Sequence, residues 1–220
     1  MTDAVALFAQ AMRSAIAARG MGLVALSGGN TPRQTYRAMA ALDLPWEKIT
    51  VTLVDERCVD EASRESNARL VKETLLKGPA AAAHFMPLKG DGTTPEADAR
   101  AADARLRALP RPFDFMLLGV GEDGHFASLF PGSPVLEAGL AMTSRDICLA
   151  VPAGENGRAP GLPRLTLTLA EIARTRSLVL LLSEEKRKVL EAAEADPLSP
   201  LPIRALLDAR PDIAIVWVKS

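Results

Sequence analysis

Gly119-Val120-Gly121-Glu122-Asp123-Gly124-His125-Phe126-Ala127-Ser128-Leu129-Phe130-Pro131-Gly132, entered from the apolar run Phe113-Asp114-Phe115-Met116-Leu117-Leu118, is the stretch on which the fold class turns. The run has the length and composition of one buried strand in a parallel sheet. The glycines that follow let the backbone turn sharply at the strand's end. That turn delivers one of only two histidines in the chain to the strand's C-terminal edge. In an open α/β sheet this edge is where ligands bind. An imidazole placed there, beside an aspartate, is a candidate acid/base group.

On both sides of this stretch, strand-like and helix-like segments alternate. The spacing of Val5, Leu7, Phe8, Met12 and Ile16 predicts a helix over 3–18, stopped by Gly20. Leu23–Leu26 reads as a strand leading into Ser27-Gly28-Gly29-Asn30-Thr31-Pro32 and a helix through about Leu42, with Thr31 as N-cap and Pro32 at the first helical position. Further strands are expected at 49–54, near Phe85, at 147–151, 177–182 and 213–218, and helices at 66–76, 96–108 and 184–195. Arg164 to Leu169 alternates polar and apolar residues, and 152–163, with three prolines and three glycines, reads as a loop able to move. The pattern predicts an α/β chain: one Rossmann-like three-layer α/β/α sandwich with a mainly parallel sheet, a single domain over 1–220.

Composition narrows the function classes. With 48% hydrophobic and 24% charged residues the chain has a globular balance, and disorder is excluded. A formal net charge of −1 provides no broad cationic field, so neither nucleic acid nor an anionic membrane is expected as a partner and anion binding must be local. The apolar runs are strand-sized, and the opening residues lack a basic segment followed by an apolar one; the expectation is a cytoplasmic chain. Cys58 and Cys148 form no metal-spaced pair, and neither a metal nor a cofactor is expected. A free cysteine beside a strand reads first as a small apolar side chain.

Four groups of residues bear on the chemistry. The turn Ser27–Pro32 exposes backbone N–H groups at the start of a helix, which suits a phosphate, although it lacks the Gly-Lys-Ser/Thr ending of a P-loop. Asp55-Glu56-Arg57 closes a strand, and the planar fork of Arg57 matches a phosphate in a way a lysine cannot. Gly119, Gly121 and Gly124 satisfy the dinucleotide pattern G-x-G-x-x-G, but Pro131-Gly132 interrupts the helix that pattern requires, so NAD binding is not expected. Arg164, Lys186, Arg187 and Lys188 are further cations, of which only one or two can reach a site.

Taken together these segments resemble the 6-phosphogluconolactonase family, within the glucosamine/galactosamine-6-phosphate isomerase superfamily. The likeness runs in the family's order: Leu26–Pro32, Asp55-Glu56-Arg57 with Ser66-Asn67, Leu118–Gly132, Pro163–Thr168 and Lys186. Asn30 stands where Ser is usual and Phe126 where Thr is usual. The resemblance implies hydrolysis of a phosphorylated sugar lactone, with His125 as base, Asp123 orienting it, and Ser27, Gly28, Gly29, Asn30, Thr31, Asp55, Arg57, Arg164 and Lys186 around the substrate. The related glucosamine-6-phosphate deaminases carry a Glu five positions after the His to help open the sugar ring; here that position is Phe130. The rival readings are such an isomerase or deaminase, and a sugar-phosphate sensor. The sensor reading lacks a basic DNA-recognition helix ahead of Leu23.

Overall fold

The computed structural model describes residues 3–154 and 160–218. Helix α1 (Ala4–Arg19) is capped by the Asp3 carboxylate, which accepts from Val5 N–H at 2.9 Å, and it buries Phe8, Met12 and Ala15. Six parallel strands then form the main sheet in the order β4 (His84–Phe85), β2 (Ile49–Leu53), β1 (Gly22–Leu26), β5 (Phe115–Leu118), β8 (Ser177–Ser183) and β9 (Ala214–Val218). The chain therefore starts in the middle, builds outward through β2 to β4, and crosses over to build the other half from β5. Helix α1 packs on β1, β5 and β8, with α2 (Arg33–Ala40) beside it and α3 (Asn67–Thr74) next to α2. The start of both central strands is pinned by buried Asp114, whose carboxylate accepts from Leu23 N–H at 2.9 Å and is paired with Arg19.

The expected strand at 49–54 does not simply end in Asp55-Glu56-Arg57. At Val54 the chain leaves the main sheet and enters a second, antiparallel sheet, β3 (Asp55–Arg57), β7 (Arg164–Leu167) and β6 (Cys148–Val151), in the order β3-β7-β6. Val54 is the joint: its N–H donates to Leu26 O at 3.0 Å in one sheet, and its carbonyl accepts from Leu167 N–H at 2.8 Å in the other. The polar/apolar alternation of Arg164–Leu167 fits this, because an antiparallel sheet can present one polar face while a doubly covered parallel strand cannot. Helix α4 (Pro95–Arg107) covers β6 and β7.

Other departures are local. Helix α2 begins at Arg33, and Pro32, already helical in conformation, occupies the capping position; Thr31 makes no capping bond and stays in the turn. The segment expected as one helix at 184–195 opens with a 3-10 turn, Glu184–Lys186, before α7 (Arg187–Ala195). Three helices were not expected: α5 (Leu136–Leu140), α6 (Leu169–Ile172) and α8 (Pro202–Ala209). The reading of 152–163 as a moving loop turns on residues 155–159, which lie outside the described residues. Among the described residues, no helix is long and apolar enough to cross a membrane.

Candidate active site

Because the strand order reverses between β1 and β5, the crevice beyond their C-terminal ends is the topological switch point of the sheet. The turns that leave these strands, Ser27–Pro32 and Gly119–His125, face each other across it. A cavity of about 190 Å³ lies there, lined among others by Ser27, Gly28, Gly29, Thr31, Asp55, Arg57, His125, Arg164 and Lys186. Apart from Asn30 and Asp123, every residue expected at the site lines this one cavity.

The first turn is held from below. Ser27 N–H donates to Leu117 O at 3.1 Å, joining it to β5. The hydroxyl of fully buried Tyr36 donates to Ser27 O at 2.6 Å; burial pushes its pKa well up, so it remains a donor. Gly28 has no room for a side chain, since a Cβ there would sit 1.8 Å from Asn67 Oδ1. Among the described residues, the N–H groups of Gly28 and Gly29 have no protein acceptor, and they lie in the turn that leads into α2. Asn30 is exposed and outside the lining, where its Oδ1 accepts from Arg33 Nε at 3.3 Å.

The second sheet supplies two of the cations. Arg57 and Arg164 are direct partners in the β3–β7 ladder. Like charges placed opposite each other in a sheet are unfavourable, so the arrangement favours an anion near the pair. Arg57 Nη1 donates to Glu65 O at 2.8 Å and to Asn67 Oδ1 at 2.7 Å. Arg164 Nη1 lies 3.7 Å from the Asp55 carboxylate. Burial pushes the Arg164 pKa down, Asp55 opposes that shift, and Arg57 adds to it. Ser27 Oγ, Arg57 Nε and Arg164 Nε are buried with no hydrogen-bond partner among the described residues. Buried polar atoms left unpaired are unusual and costly; three on the walls of one cavity mark a site built around a polar ligand. Lys186, in the 3-10 turn after β8, reaches the same cavity and pairs with Glu122 at 3.3 Å. Arg187 is instead held by Glu184 at 2.9 Å and lies 4.2 Å from the Trp217 ring centroid. The cations that reach the cavity are thus Arg57, Arg164 and Lys186.

The acidic pair at 55–56 divides its work. The buried Glu56 carboxylate accepts from the N–H groups of Arg57, Asn67 and Ala68 at 2.7, 2.8 and 2.7 Å. Burial raises its pKa, and these bonds oppose the rise. By holding the start of α3, Glu56 fixes Asn67 between Arg57 and the glycine turn. Asp55 accepts from Ser128 Oγ at 2.6 Å and from Asn67 Nδ2 at 3.3 Å, while Ser128 N–H donates to Thr166 Oγ1 at 3.1 Å. These bonds fasten the histidine loop to both strands of the cationic pair.

In that loop Gly121 N–H donates to His125 O at 2.8 Å and Gly124 N–H to Gly121 O at 3.1 Å. Gly124 sits at φ 75°, where a side chain is strained, and a Cβ there would lie 2.8 Å from the Leu201 Cβ. Ile203 N–H donates to Gly124 O at 2.9 Å, so α8 buttresses the turn. The next α-helix after the glycines is α5, so the turn at Gly124 does not lead directly into a helix. His125 Nδ1 is 2.5 Å from Asp123 Oδ1. Burial raises the Asp123 pKa, but the bond and attraction to His125 outweigh it and hold the carboxyl below its ordinary range. A carboxylate on Nδ1 selects the tautomer with its proton there and leaves the Nε2 lone pair free. Among the described residues, no group of three or more His, Cys, Asp or Glu side chains is placed to hold a metal ion.

Sequence reasoning missed Tyr36, Asn67, Ser128, Thr166 and Leu201 as parts of this site. Asn67 belongs to a quoted motif but received no role, and Ser128 lies inside the decisive stretch. Tyr36 and Leu201 act from other elements, and their spacing carries no signal of it.

A family model described as glucosamine-6-phosphate isomerases/6-phosphogluconolactonase matches residues 1–217. The chain is 44% identical to a 6-phosphogluconolactonase of Caulobacter vibrioides, over 98% of this chain and 91% of that protein. It is 43% identical to one of Mesorhizobium japonicum, over 95% and 87%. The crystal structure of a 6-phosphogluconolactonase from Shewanella baltica is similar with a TM-score of 0.90 at 34% identity, covering 98% of this chain and 91% of that one.

Proposed function

The chain belongs to the glucosamine-6-phosphate isomerase/6-phosphogluconolactonase family, and from that premise we propose that it hydrolyses 6-phospho-D-glucono-1,5-lactone to 6-phospho-D-gluconate in the oxidative pentose phosphate pathway. The observation that carries the reading is that one cavity holds both a three-cation cradle and a carboxylate-held imidazole. The phosphate sits among Arg57, Arg164, Lys186 and the Ser27–Thr31 turn, and the length of the substrate sets C1 near His125. Nε2 takes a proton from water as the water oxygen bonds to C1. The C1–ring oxygen bond then breaks, and the proton passes to the departing oxygen. Backbone N–H groups of the histidine loop stabilise the oxyanion. Asp123 holds the ring and balances the imidazolium that forms. Asp55 serves the substrate indirectly, by aligning Arg164 and the loop.

In this reading the whole site belongs to one domain over 1–220, acts in the cytoplasm on a small phosphorylated lactone, and uses no nucleic-acid or membrane partner. The family's isomerase activity is disfavoured because the position that holds a ring-opening carboxylate in the deaminases is Phe130, buried against His125. The test is a spectrophotometric lactonase assay corrected for spontaneous hydrolysis, run beside unphosphorylated glucono-1,5-lactone. Turnover well above background that depends on the phosphate is expected. No acceleration of the phosphorylated lactone overturns the reading.

A further inference from the structure

Phe130 is 2% exposed and lies against the two halves of the cavity at once. Its ring centroid is 4.1 Å from that of His125, with the planes 35° apart, and the Arg164 guanidinium carbon lies 5.1 Å from the same centroid. The contact is built by the backbone. After His125 the chain doubles back through an isolated bridge between Phe126 and Leu129, with Ala127 at φ 49°. A non-glycine residue in this region costs energy, and such strain persists only where surrounding structure enforces it. Here Ser128, bonded to Asp55 and Thr166, enforces it, and the result is to swing Phe130 back onto the imidazole.

We propose that Phe130 is a positioning residue that serves both limbs of the site, setting the plane of the His125 ring and seating the Arg164 guanidinium. The inference rests on His125 as base and Arg164 as phosphate anchor. Asp123 holds the imidazole at one ring nitrogen; the phenyl ring adds a second contact, against the face of the imidazole, that further limits its tilt. Arg164 faces Arg57 across the ladder, and its carboxylate partner is distant at 3.7 Å. The electron-rich face of Phe130 offers it a further attractive surface without neutralising the charge a phosphate needs. The residue that occupies the deaminases' carboxylate position thus does a different job: it orients the base by contact rather than by hydrogen bonding.

The test compares Phe130→Leu, which keeps an apolar side chain without a π face, with Phe130→Tyr, which keeps the ring. Two readouts are taken: lactone kinetics, and the affinity of the cradle for inorganic phosphate by calorimetry. For Phe130→Leu, kcat is expected to fall and phosphate affinity to weaken by about five- to tenfold each, the scale of one aromatic or cation–π contact. Phe130→Tyr should restore both to within about twofold. A double-mutant cycle with Arg164→Met should be non-additive for phosphate affinity, as it is for contacting residues. Phe130→Met replaces the leucine variant should that one fail to fold. A folded variant lacking the ring that matches the parent in both readouts, or alters only one, overturns the shared role, as does a tyrosine variant as impaired as the leucine one. If the parent hydrolyses no lactone, the reading of function falls, and the shared role of Phe130 with it. Normal lactonase activity with an inert Phe130→Leu sinks the inference alone.

Discussion

The two sheets meet at one residue and differ in nearly everything else. Strands β1 and β5 of the parallel sheet are buried throughout and almost wholly apolar. Strands β3 and β7 of the antiparallel sheet bury Asp55, Glu56 and Thr166, half-bury Arg57 and Arg164, and leave guanidinium nitrogens of both arginines without partners. The parallel sheet gains stability from burial and serves the site only by where its strands end. The antiparallel sheet holds charge in an arrangement that is poor for stability and suited to an anion. Apolar burial and unpaired charge are thus lodged in separate sheets, joined at Val54 and spanned by the histidine loop.

That separation can be broken experimentally. The largest effect falls on the loop itself: His125→Ala should lower kcat by about two to four orders of magnitude with phosphate affinity nearly unchanged. Steady-state kinetics with product-inhibition measurements check this, and near-normal turnover removes the base. Next is the scaffold. Leu180→Ala, at a fully buried position of β8 between β5 and β9, should cost about 2–5 kcal/mol in denaturant unfolding while leaving kcat per folded molecule intact. A large kinetic defect there would erase the division of labour.

Arg57→Ala should do the reverse. It raises KM by about tenfold through lost uniform binding and changes kcat little. Unfolding stability should fall by much less than for Leu180→Ala, since removing one of two opposed like charges offsets the lost hydrogen bonds. A pure kcat loss at normal KM assigns Arg57 wrongly.

The smallest effect sharpens the direction of the charge. Cys58 follows Arg57 directly, yet burial, with Asp98 adding, pushes its thiol up to about 11. Cys148 in β6 is pushed up by burial to about 12. A raised thiol pKa means the reactive thiolate is scarce at pH 8 and accumulates only as the pH approaches 11. Alkylation of Cys58 followed by mass spectrometry should therefore be slower in the folded chain than after unfolding at pH 8, with the gap narrowing above pH 10. Equal rates at pH 8 would show that the cationic field also covers the back of the sheet.

Much of the fold was legible because buried parallel strands announce themselves: 23–26, 115–118 and 177–182 are apolar runs between breakers, and their parallel direction follows from alternation with helices. The second sheet was harder to see. Asp55-Glu56-Arg57 adjoins an apolar strand without a break, and a turn at Val54 leaves no mark in composition. Helix α8 went unread because its few apolar residues, Ile203, Leu206 and Leu207, follow a proline-rich segment that reads as loop. At the site, residues in local motifs were found, and Arg187 could be told from Lys186 only once Trp217 and Glu184 were seen to hold it. Asn30 sits in the right turn but outside the cavity lining, where its side chain accepts from Arg33 Nε. Sequence order shows which groups share a turn, whereas the supports of the His125 loop come from β3, β7 and α8, far apart along the chain.

The grip of Leu201 and Ile203 on the Gly124 turn has a consequence in time. During synthesis, the earlier part of a chain emerges and folds before the later part. The opposed arginines are translated well ahead of this buttress, so the residues that close the Gly124 turn are the last of the cavity's supports to leave the ribosome.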